Sequence, residues 1–515
     1  MSEKTYLVGV DVGTNGTKSA IFDSSGNLIS EAFEESKLYY PELNAVEQDL
    51  DEIYASVINT IRVCVQKSSI DVSKIEGIAI DGQMAGTCAI DSNWLPVTPY
   101  DSWLDMRCAP YIEILKKEQS KIISLSGGPP SFNHGPKMLW WKNKRPEVFK
   151  KIAKFIMPSA YVAGKMAGLR AKDAYIDYTF IHFSGFSDIL NKRWSEELCE
   201  HFGLPIDKLP EIIKPWEIIG KLTKQAAEEA SLIQGIPIAA GCGDTIATML
   251  GAAFTRVGMV FDVAGTASIF SVRIDKFKPD VENGTFFAAR HAPEDLWYYI
   301  AYINGGGLNL RWFRDEVIKF DNNFTEKSVK DPYKYLDNLA SEIGAGSEKL
   351  FFIPHIGGRV CPNSPYLKGS WVGLSWKHKI GHLYRSLLEA VAYEYAIYRD
   401  IGKKLIPEIK FEKARVIGGG ARSKLWNRIK SDILGIPYER LVREEFGVLG
   451  SSILAGYATG VFDDLKNPSD RFNEVKYRIE PDKKTHDFYS QYVDYYKFLL
   501  QNTEKIFEEL EKVKG

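Results

Sequence analysis

Tyr6-Leu-Val-Gly-Val-Asp-Val-Gly-Thr-Asn-Gly-Thr-Lys-Ser-Ala-Ile-Phe-Asp23 decides the fold. Tyr6 to Val10 reads as a strand, Asp11-Val-Gly-Thr-Asn-Gly-Thr17 as a polar turn, and Lys18 to Asp23 as a second strand that turns again at Ser25-Gly26-Asn27. The product is a hairpin with an acidic, glycine-rich tip. Backbone N–H groups and threonine hydroxyls left free at such a tip can surround an anion without a basic patch, and Lys18 adds one positive charge nearby. Asp11 would repel a bare phosphate, so it reads as a ligand for a hydrated Mg²⁺ that bridges phosphates. The stretch is not a Gly-x-x-x-x-Gly-Lys-Ser/Thr loop, and Gly9-x-x-x-Gly13 lacks the Rossmann spacing, which demotes both of those nucleotide folds.

Outward from the hairpin, residues 49–67 carry a helical pattern, and Ile75-Glu-Gly-Ile-Ala-Ile80 reads as a buried strand ending at Asp81-Gly82-Gln83-Met84. Strands alternating with helices predict an α/β domain. The same grammar returns at Gly258–Phe261, Asp262-Val-Ala-Gly-Thr-Ala-Ser268 and Ile269–Ile274, so that Asp-Val-Gly-Thr at 11–14 is echoed by Asp-Val-Ala-Gly-Thr at 262–266. A repeat some 250 residues apart is too long for a solenoid and predicts two halves of one ancestral fold, divided near Thr255-Arg256-Val257 into domains 1–256 and 257–515.

Two further phrases end strands in glycine. Ile236-Pro-Ile-Ala-Ala-Gly-Cys-Gly-Asp244-Thr245 runs an apolar strand into two glycines and one acid, placed either to cap the helix that follows or to act at the carboxyl end of the sheet. Ala414-Arg-Val-Ile-Gly-Gly-Gly-Ala-Arg-Ser423 breaks a strand into three glycines before a helix, either a tight βα turn or a loop on whose bare backbone a ring can lie.

Composition sets the outer limits. The chain has 515 residues, 65 Lys and Arg against 67 Asp and Glu, 45% hydrophobic and 26% charged residues, an ordinary globular balance for more than one domain. A net charge of −2 leaves no broad cationic field, which argues against a nucleic-acid partner. The six scattered cysteines read as reduced core thiols, and His378 and His382 as surface or cap residues rather than metal ligands. The polar stub Met1 to Thr5 and the lack of a long apolar run predict no signal peptide, no membrane span and a cytoplasmic protein. The segment His486 to Lys514, with Phe488, Tyr492, Tyr495, Phe498, Leu499, Ile506, Phe507 and Leu510, predicts a terminal helix packed back on the core.

Taken in order, Val10–Lys18, Gly82-Gln83-Met84, Trp103-Leu-Asp-Met-Arg107, Gly241-Cys-Gly-Asp244, Asp262–Thr266, Phe352-Ile-Pro354 through Gly369-Ser-Trp-Val-Gly-Leu374, and Ile417–Ser423 resemble the FGGY carbohydrate kinases, members of the sugar kinase, Hsp70 and actin superfamily. The resemblance implies two ribonuclease H-like α/β domains flanking a catalytic cleft, with a small sugar held mainly by the first and ATP mainly by the second. It makes Asp244 the catalytic base that takes the proton of a primary hydroxyl, at the ordinary carboxylate pKa of about 3.9. It assigns Asp11 to Mg²⁺, and Thr14, Thr17 and Lys18 to the terminal phosphates, with Gly265 and Thr266 answering from the second domain. Gly419, Gly420, Ala421, Ser423 and Asn427 fall in the adenosine pocket, and Gln83, Met84, Trp103 and Asp105 join Asp244 around the sugar. A homodimer is compatible with the resemblance.

The sugar phrases are nearest to those of xylulose kinases, with three departures: Ala85 stands where those enzymes carry His, Thr245 where they carry Asn, and Gly357-Gly358-Arg359 where they carry Gly-Glu-Arg. Losing an imidazole changes which hydroxyl pattern is accepted. A ketopentose such as xylulose leads, with a tetritol, glycerol, ribulose or gluconate as alternative acceptors and a chaperone-like or sensor ATPase as the remote one.

Overall fold

A computed structural model of the chain describes residues 4–319 and 331–513, so that Met1 to Glu3 of the polar stub and Lys514 lie outside the described residues. The opening hairpin forms from β1 (Tyr6–Val12) and β2 (Gly16–Asp23), followed by β3 (Leu28–Glu35). The strands run closer to the tip than the turn residues suggest, because Asp11 pairs with Lys18 and Val12 with Thr17, leaving four residues, Gly13 to Gly16, to reverse the chain. The helix α1 (Leu50–Ser68) begins where Asp49 accepts the N–H groups of Asp51 and Glu52, an N-cap that satisfies two otherwise orphaned donors. Next come β4 (Ile75–Gly82), β5 (Ile218–Lys221) and β6 (Pro237–Ala239), which complete a six-stranded sheet of order β5-β6-β4-β1-β2-β3. Strands β1, β4 and β6 are mutually parallel, and α2 (Asp244–Gly251) follows β6 directly.

The second sheet repeats this plan. It is built from β7 (Met259–Ala264), β8 (Ser268–Ile274), β9 (Phe287–Arg290), β10 (Trp297–Ile303), β11 (Lys413–Ile417), β12 (Tyr438–Leu441) and β13 (Val475–Ile479), in the order β9-β10-β8-β7-β11-β12-β13. Strands β10-β8-β7 are antiparallel and β7-β11-β12 parallel, as β3-β2-β1 and β1-β4-β6 are in the first sheet. All strands of the first sheet come from residues before Thr255, and all strands of the second from residues after it.

Five further helices bear on the site and its support: α3 (Gly306–Trp312), α4 (Ile380–Leu405), α5 (Lys424–Leu434), α6 (Gly447–Ala458) and α7 (Lys483–Glu511). Although α6 lies late in the chain, it packs across β1 and β4 of the first sheet and against α2. A glycine makes this approach possible, since a Cβ at Gly9 would run into the carbonyl oxygen of Val448. With α1 on the opposite face, Val8, Val10, Ile78 and Ile80 are buried on both sides of the sheet, the pattern of a central parallel strand.

The terminal helix packs back on the core as expected, with Tyr492, Leu499 and Phe507 of the expected stripe against it, but its buried centre lies on a neighbouring stripe. Tyr489, Val493, Tyr496 and Leu500 face inward, whereas Phe488, Tyr495, Phe498, Ile506 and Leu510 are exposed. The reason is polar: the hydroxyls of Tyr489 and Tyr496 donate to Glu389 and Glu394, two buried carboxylates on α4. All six cysteines are buried and free, and His378 and His382 accept the backbone N–H groups of Ser375 and Lys379 at the start of α4. Among the described residues no helix is long and apolar enough to cross a membrane.

Candidate active site

The carboxyl ends of β1, β4 and β6 carry Asp11, Asp81 and Asp244, the position where open α/β sheets present ligands. Asp11 and Asp81 are register partners on adjacent parallel strands, so their carboxyl groups stand side by side. Burial, reinforced by the charge of Asp11, holds Asp81 well above the usual carboxylate range, and the Ser451 hydroxyl of α6 donates to its Oδ2. Asp11 is raised less, again chiefly by burial, and stands on β1 beside the hairpin tip. Gly447 opens α6 beside it: a Cβ there would stand 2.7 Å from Asp11 Oδ2.

Asp244 is the first residue of α2, with Gly243 as the N-cap, so the carboxylate is not used as the cap. It accepts from the N–H of Thr245 at 2.5 Å and lies within 3.2 Å of the Thr245 hydroxyl. Contrary to an ordinary carboxylate, its pKa is pushed up to about 7, first by burial and then by the charge on Asp11. Met84 packs against Gly243 beside it, where a Cβ would meet the thioether sulfur, and Gly82 bridges to Gly243. Asp244 and Met84 are thus brought together on one wall.

The other expected sugar-side residues divide. Trp103 is half-exposed, and its indole N–H donates to Thr14 Oγ1 at 2.9 Å. Gln83 is fully buried and spends its amide on the hairpin tip rather than on open space. Asp105 is likewise buried, its carboxylate taken by the N–H of Val46 and by the backbone and guanidinium of Arg107, so that it braces the loop bearing Trp103. Arg107 also pairs with Glu47 and Asp101.

On the phosphate side, Thr14 faces the cleft but Thr17 does not. The Thr17 hydroxyl is fully buried against Ser56 of α1 at 2.7 Å, because neighbouring residues on a strand point to opposite faces and Lys18 takes the face shared with Asp11. Lys18 is bound to Glu445 at 2.7 Å and Glu31 at 3.4 Å, which ties the first tip to the segment leading into α6.

The second tip, Gly265-Thr266, is backed by a run that sequence reading passed over, Gly305-Gly306-Gly307. The N–H groups of Gly307 and Leu308 donate to the carbonyl oxygens of Gly265 and Thr266, and a Cβ at Gly306 would strike the Ser268 hydroxyl. A second triple-glycine run was the available signal. In the first run the three glycines differ. Gly418 has φ +85° and close backbone neighbours, a Cβ at Gly420 would stand 2.5 Å from the Trp426 ring, and only Gly419 faces open space. Ser423 caps α5 by accepting the N–H of Trp426, while buried Asn427 donates to the carbonyl oxygen of buried Ala421 and so holds the loop from behind. Gly418, Gly419, Arg422, Arg440 and Glu444 border a cavity of about 220 Å³.

A single carboxylate aimed at a phosphate-type tip suits a hydrated Mg²⁺, and among the described residues no cluster of three or more acidic, His or Cys ligands would form an all-protein cage. The donor set fits a metal completed by phosphates and water.

Residues 6–251 match the N-terminal domain of the FGGY family of carbohydrate kinases, and residues 262–459 match its C-terminal domain. The chain is 29% identical over 486 residues to a gluconokinase of Bacillus subtilis, covering 93% of this chain and 92% of that protein. It is 24% identical to a xylulose kinase of Staphylococcus epidermidis over 98% of this chain and 99% of the relative. In structure it superposes on ligand-bound xylulose kinase from Lactobacillus acidophilus with a TM-score of 0.89 at 22% identity, over 98% of this chain and all of the other.

Proposed function

Because the chain belongs to the FGGY family of carbohydrate kinases, we propose that it transfers the γ-phosphoryl group of ATP to a primary hydroxyl of a small sugar, a ketopentose such as xylulose. The observation that carries the reading is Asp244, half-buried at the end of β6, with Asp11 on one side and Met84 on the other.

In this reading Asp244 accepts the proton of the sugar hydroxyl as that oxygen attacks phosphorus, and the N–H and hydroxyl of Thr245 fix the carboxylate orientation. Trp103 and Met84 bound the sugar. Thr14, Gly265 and Thr266 approach the triphosphate from the two tips, and Gly419 lends bare backbone to the nucleoside in the cavity beside β11 and β12. Asp11 would hold Mg²⁺, which when bound neutralises charge on the phosphates. Because the tips belong to different domains, closing the cleft assembles the site and excludes water.

A neutral polyol is favoured over an aldonate by the carboxylates on the strand ends, since Asp11 and Asp244 repel a substrate carboxylate. The gluconate reading is favoured by the higher identity to a gluconokinase. Coupled ADP release with Mg-ATP across xylulose, ribulose, erythritol, glycerol and gluconate decides. A ketopentose that accelerates release by orders of magnitude is the expected result, gluconate alone selects the second reading, and no acceleration by any acceptor overturns both.

A further inference from the structure

Four side chains form one hydrogen-bonded line from the sugar-side loop to the phosphate tip. Gln83 Nε2 donates to Gln48 Oε1 at 2.7 Å and to the carbonyl oxygen of Gly13 at 3.3 Å, which turns its Oε1 toward Thr14. The Thr14 hydroxyl donates to that oxygen at 3.0 Å and accepts the indole N–H of Trp103 at 2.9 Å. Gln48 Nε2 closes the set on the Thr14 carbonyl oxygen at 3.4 Å. Gln83 is fully buried and Gln48 nearly so, whereas Trp103 is 47% exposed. The line thus has a rigid inner end and one end open to the cleft.

A hydroxyl has a single proton to give. Phosphate oxygens accept, so Thr14 serves a triphosphate only when its proton leaves Gln83. The indole N–H opposes that change by geometry, because it occupies one lone-pair direction of Thr14 Oγ1 and limits the rotation by which the hydroxyl proton would leave Gln83. Trp103 is carried on a loop pinned by Asp105 to Val46 and Arg107, and by Lys137 to the Asp105 carbonyl oxygen, so its backbone is fixed while its ring is free on one side.

We propose that Trp103 is a positioning residue that reports sugar occupancy to the phosphate tip: without sugar its indole N–H holds the Thr14 hydroxyl on Gln83, and a sugar seated against the ring draws the indole away and releases that hydroxyl to the triphosphate. This rests on the kinase reading above. It supplies a local reason, in addition to cleft closure, for ATP to be spent only when an acceptor is present.

The test uses the full chain and Trp103→Phe, which keeps a ring and removes the N–H. Two readouts need no sugar: affinity for a non-hydrolysable ATP analogue with Mg²⁺, and ATP hydrolysis. The expected result is a gain of about threefold to tenfold in both, the size of one net hydrogen bond. In a Thr14→Val background, where the acceptor is gone, the same Trp103 substitution should add nothing, an outcome that general loosening of the loop would not produce. Equal effects in the two backgrounds, or none in either, overturn the proposal. The acceptor panel is run in parallel on the unsubstituted protein: failure there removes the kinase reading, while success there with an unresponsive Trp103→Phe removes this inference alone.

Discussion

Lys430 Nζ lies 2.6 Å from Asp262 Oδ2, with both side chains fully shut off from solvent. Tyr395 donates to the other carboxylate oxygen at 2.9 Å. Asp262 stands on the second hairpin where Asp11 stands on the first, so the duplicated aspartates have taken opposite fates. One is tied to a lysine inside the second domain, and the other stands beside the first hairpin tip. Under the proposed function, the asymmetry leaves Asp11 but not Asp262 available to the triphosphate, which limits repulsion between protein and substrate.

Lys430→Met should therefore destabilise the fold strongly, by about 3–5 kcal/mol, because it leaves Asp262 buried without its partner. Adding Asp262→Asn should recover most of the loss, since an amide carries no charge to desolvate. Urea unfolding of the two single variants and the double variant measures the coupling, and additive losses would show that the pair does not act as a unit.

Activity should rise with pH through about 7. The pKa of Asp244 is raised to about 7 by burial and by Asp11, so the carboxylate is mostly protonated at pH 6 and mostly ionised at pH 8, and only the ionised form accepts a proton. The acid limb of kcat/KM, which reports the free enzyme, should follow one ionisation near that value. A profile flat from pH 5 to 8 would mean that the base titrates in the ordinary carboxylate range.

Much of this site was legible in the sequence because its signals are local. Asp11, Thr14, Asp244 and the glycines at 418–420 end strands within short phrases, and the echo at residue 262 predicted the second sheet. What escaped depends on neighbours far along the chain. Asp81 reads as the last residue of a strand until register sets it beside Asp11, and Ser451 arrives some 370 residues later. The helix α7 packs on the core as expected, but only Tyr492, Leu499 and Phe507 of the expected stripe reach it, because the buried Glu389 and Glu394 on α4 draw Tyr489 and Tyr496 inward, and those partners lie about 100 residues away in sequence. Thr17 is a different case. Strand alternation already separates it from Lys18, and extending the strands by one pair gives its direction.

Gly447→Ala should weaken Mg-ATP use without unfolding the protein. The new methyl group would stand 2.7 Å from Asp11 Oδ2, closer than real Cβ contacts, and the flexible carboxylate yields more readily than the helix backbone. The expected result is a higher Mg²⁺ requirement and a higher KM for Mg-ATP, with the thermal midpoint little changed. An equal rise in the KM for sugar would show that the helix, not the carboxylate, has moved.

The last prediction concerns acid stability and the docking of α7. Glu394 is fully buried between Arg359 at 2.9 Å and His355 at 3.2 Å, and Tyr496 of α7 donates to it at 2.8 Å. Burial alone would raise its pKa, but Arg359, His355 and the tyrosine hydroxyl outweigh it and hold the carboxyl down at about 2. Its folded pKa is thus below its unfolded one, so the folded protein binds fewer protons in between. The stabilisation is complete above about pH 4.5, and it is lost as pH falls toward about 2. Glu394→Gln removes this contribution and strands Arg359, so it should be markedly less stable at pH 7. The gap between the variant and the unsubstituted protein should then narrow steadily below pH 4.5, because protonation does to the one what substitution has done to the other. Measuring both by urea unfolding between pH 7 and 3 separates this carboxyl from every other acid in the chain, since those titrate alike in the two proteins. A gap that stays constant over that range would mean that Glu394 contributes by shape and hydrogen bonding alone.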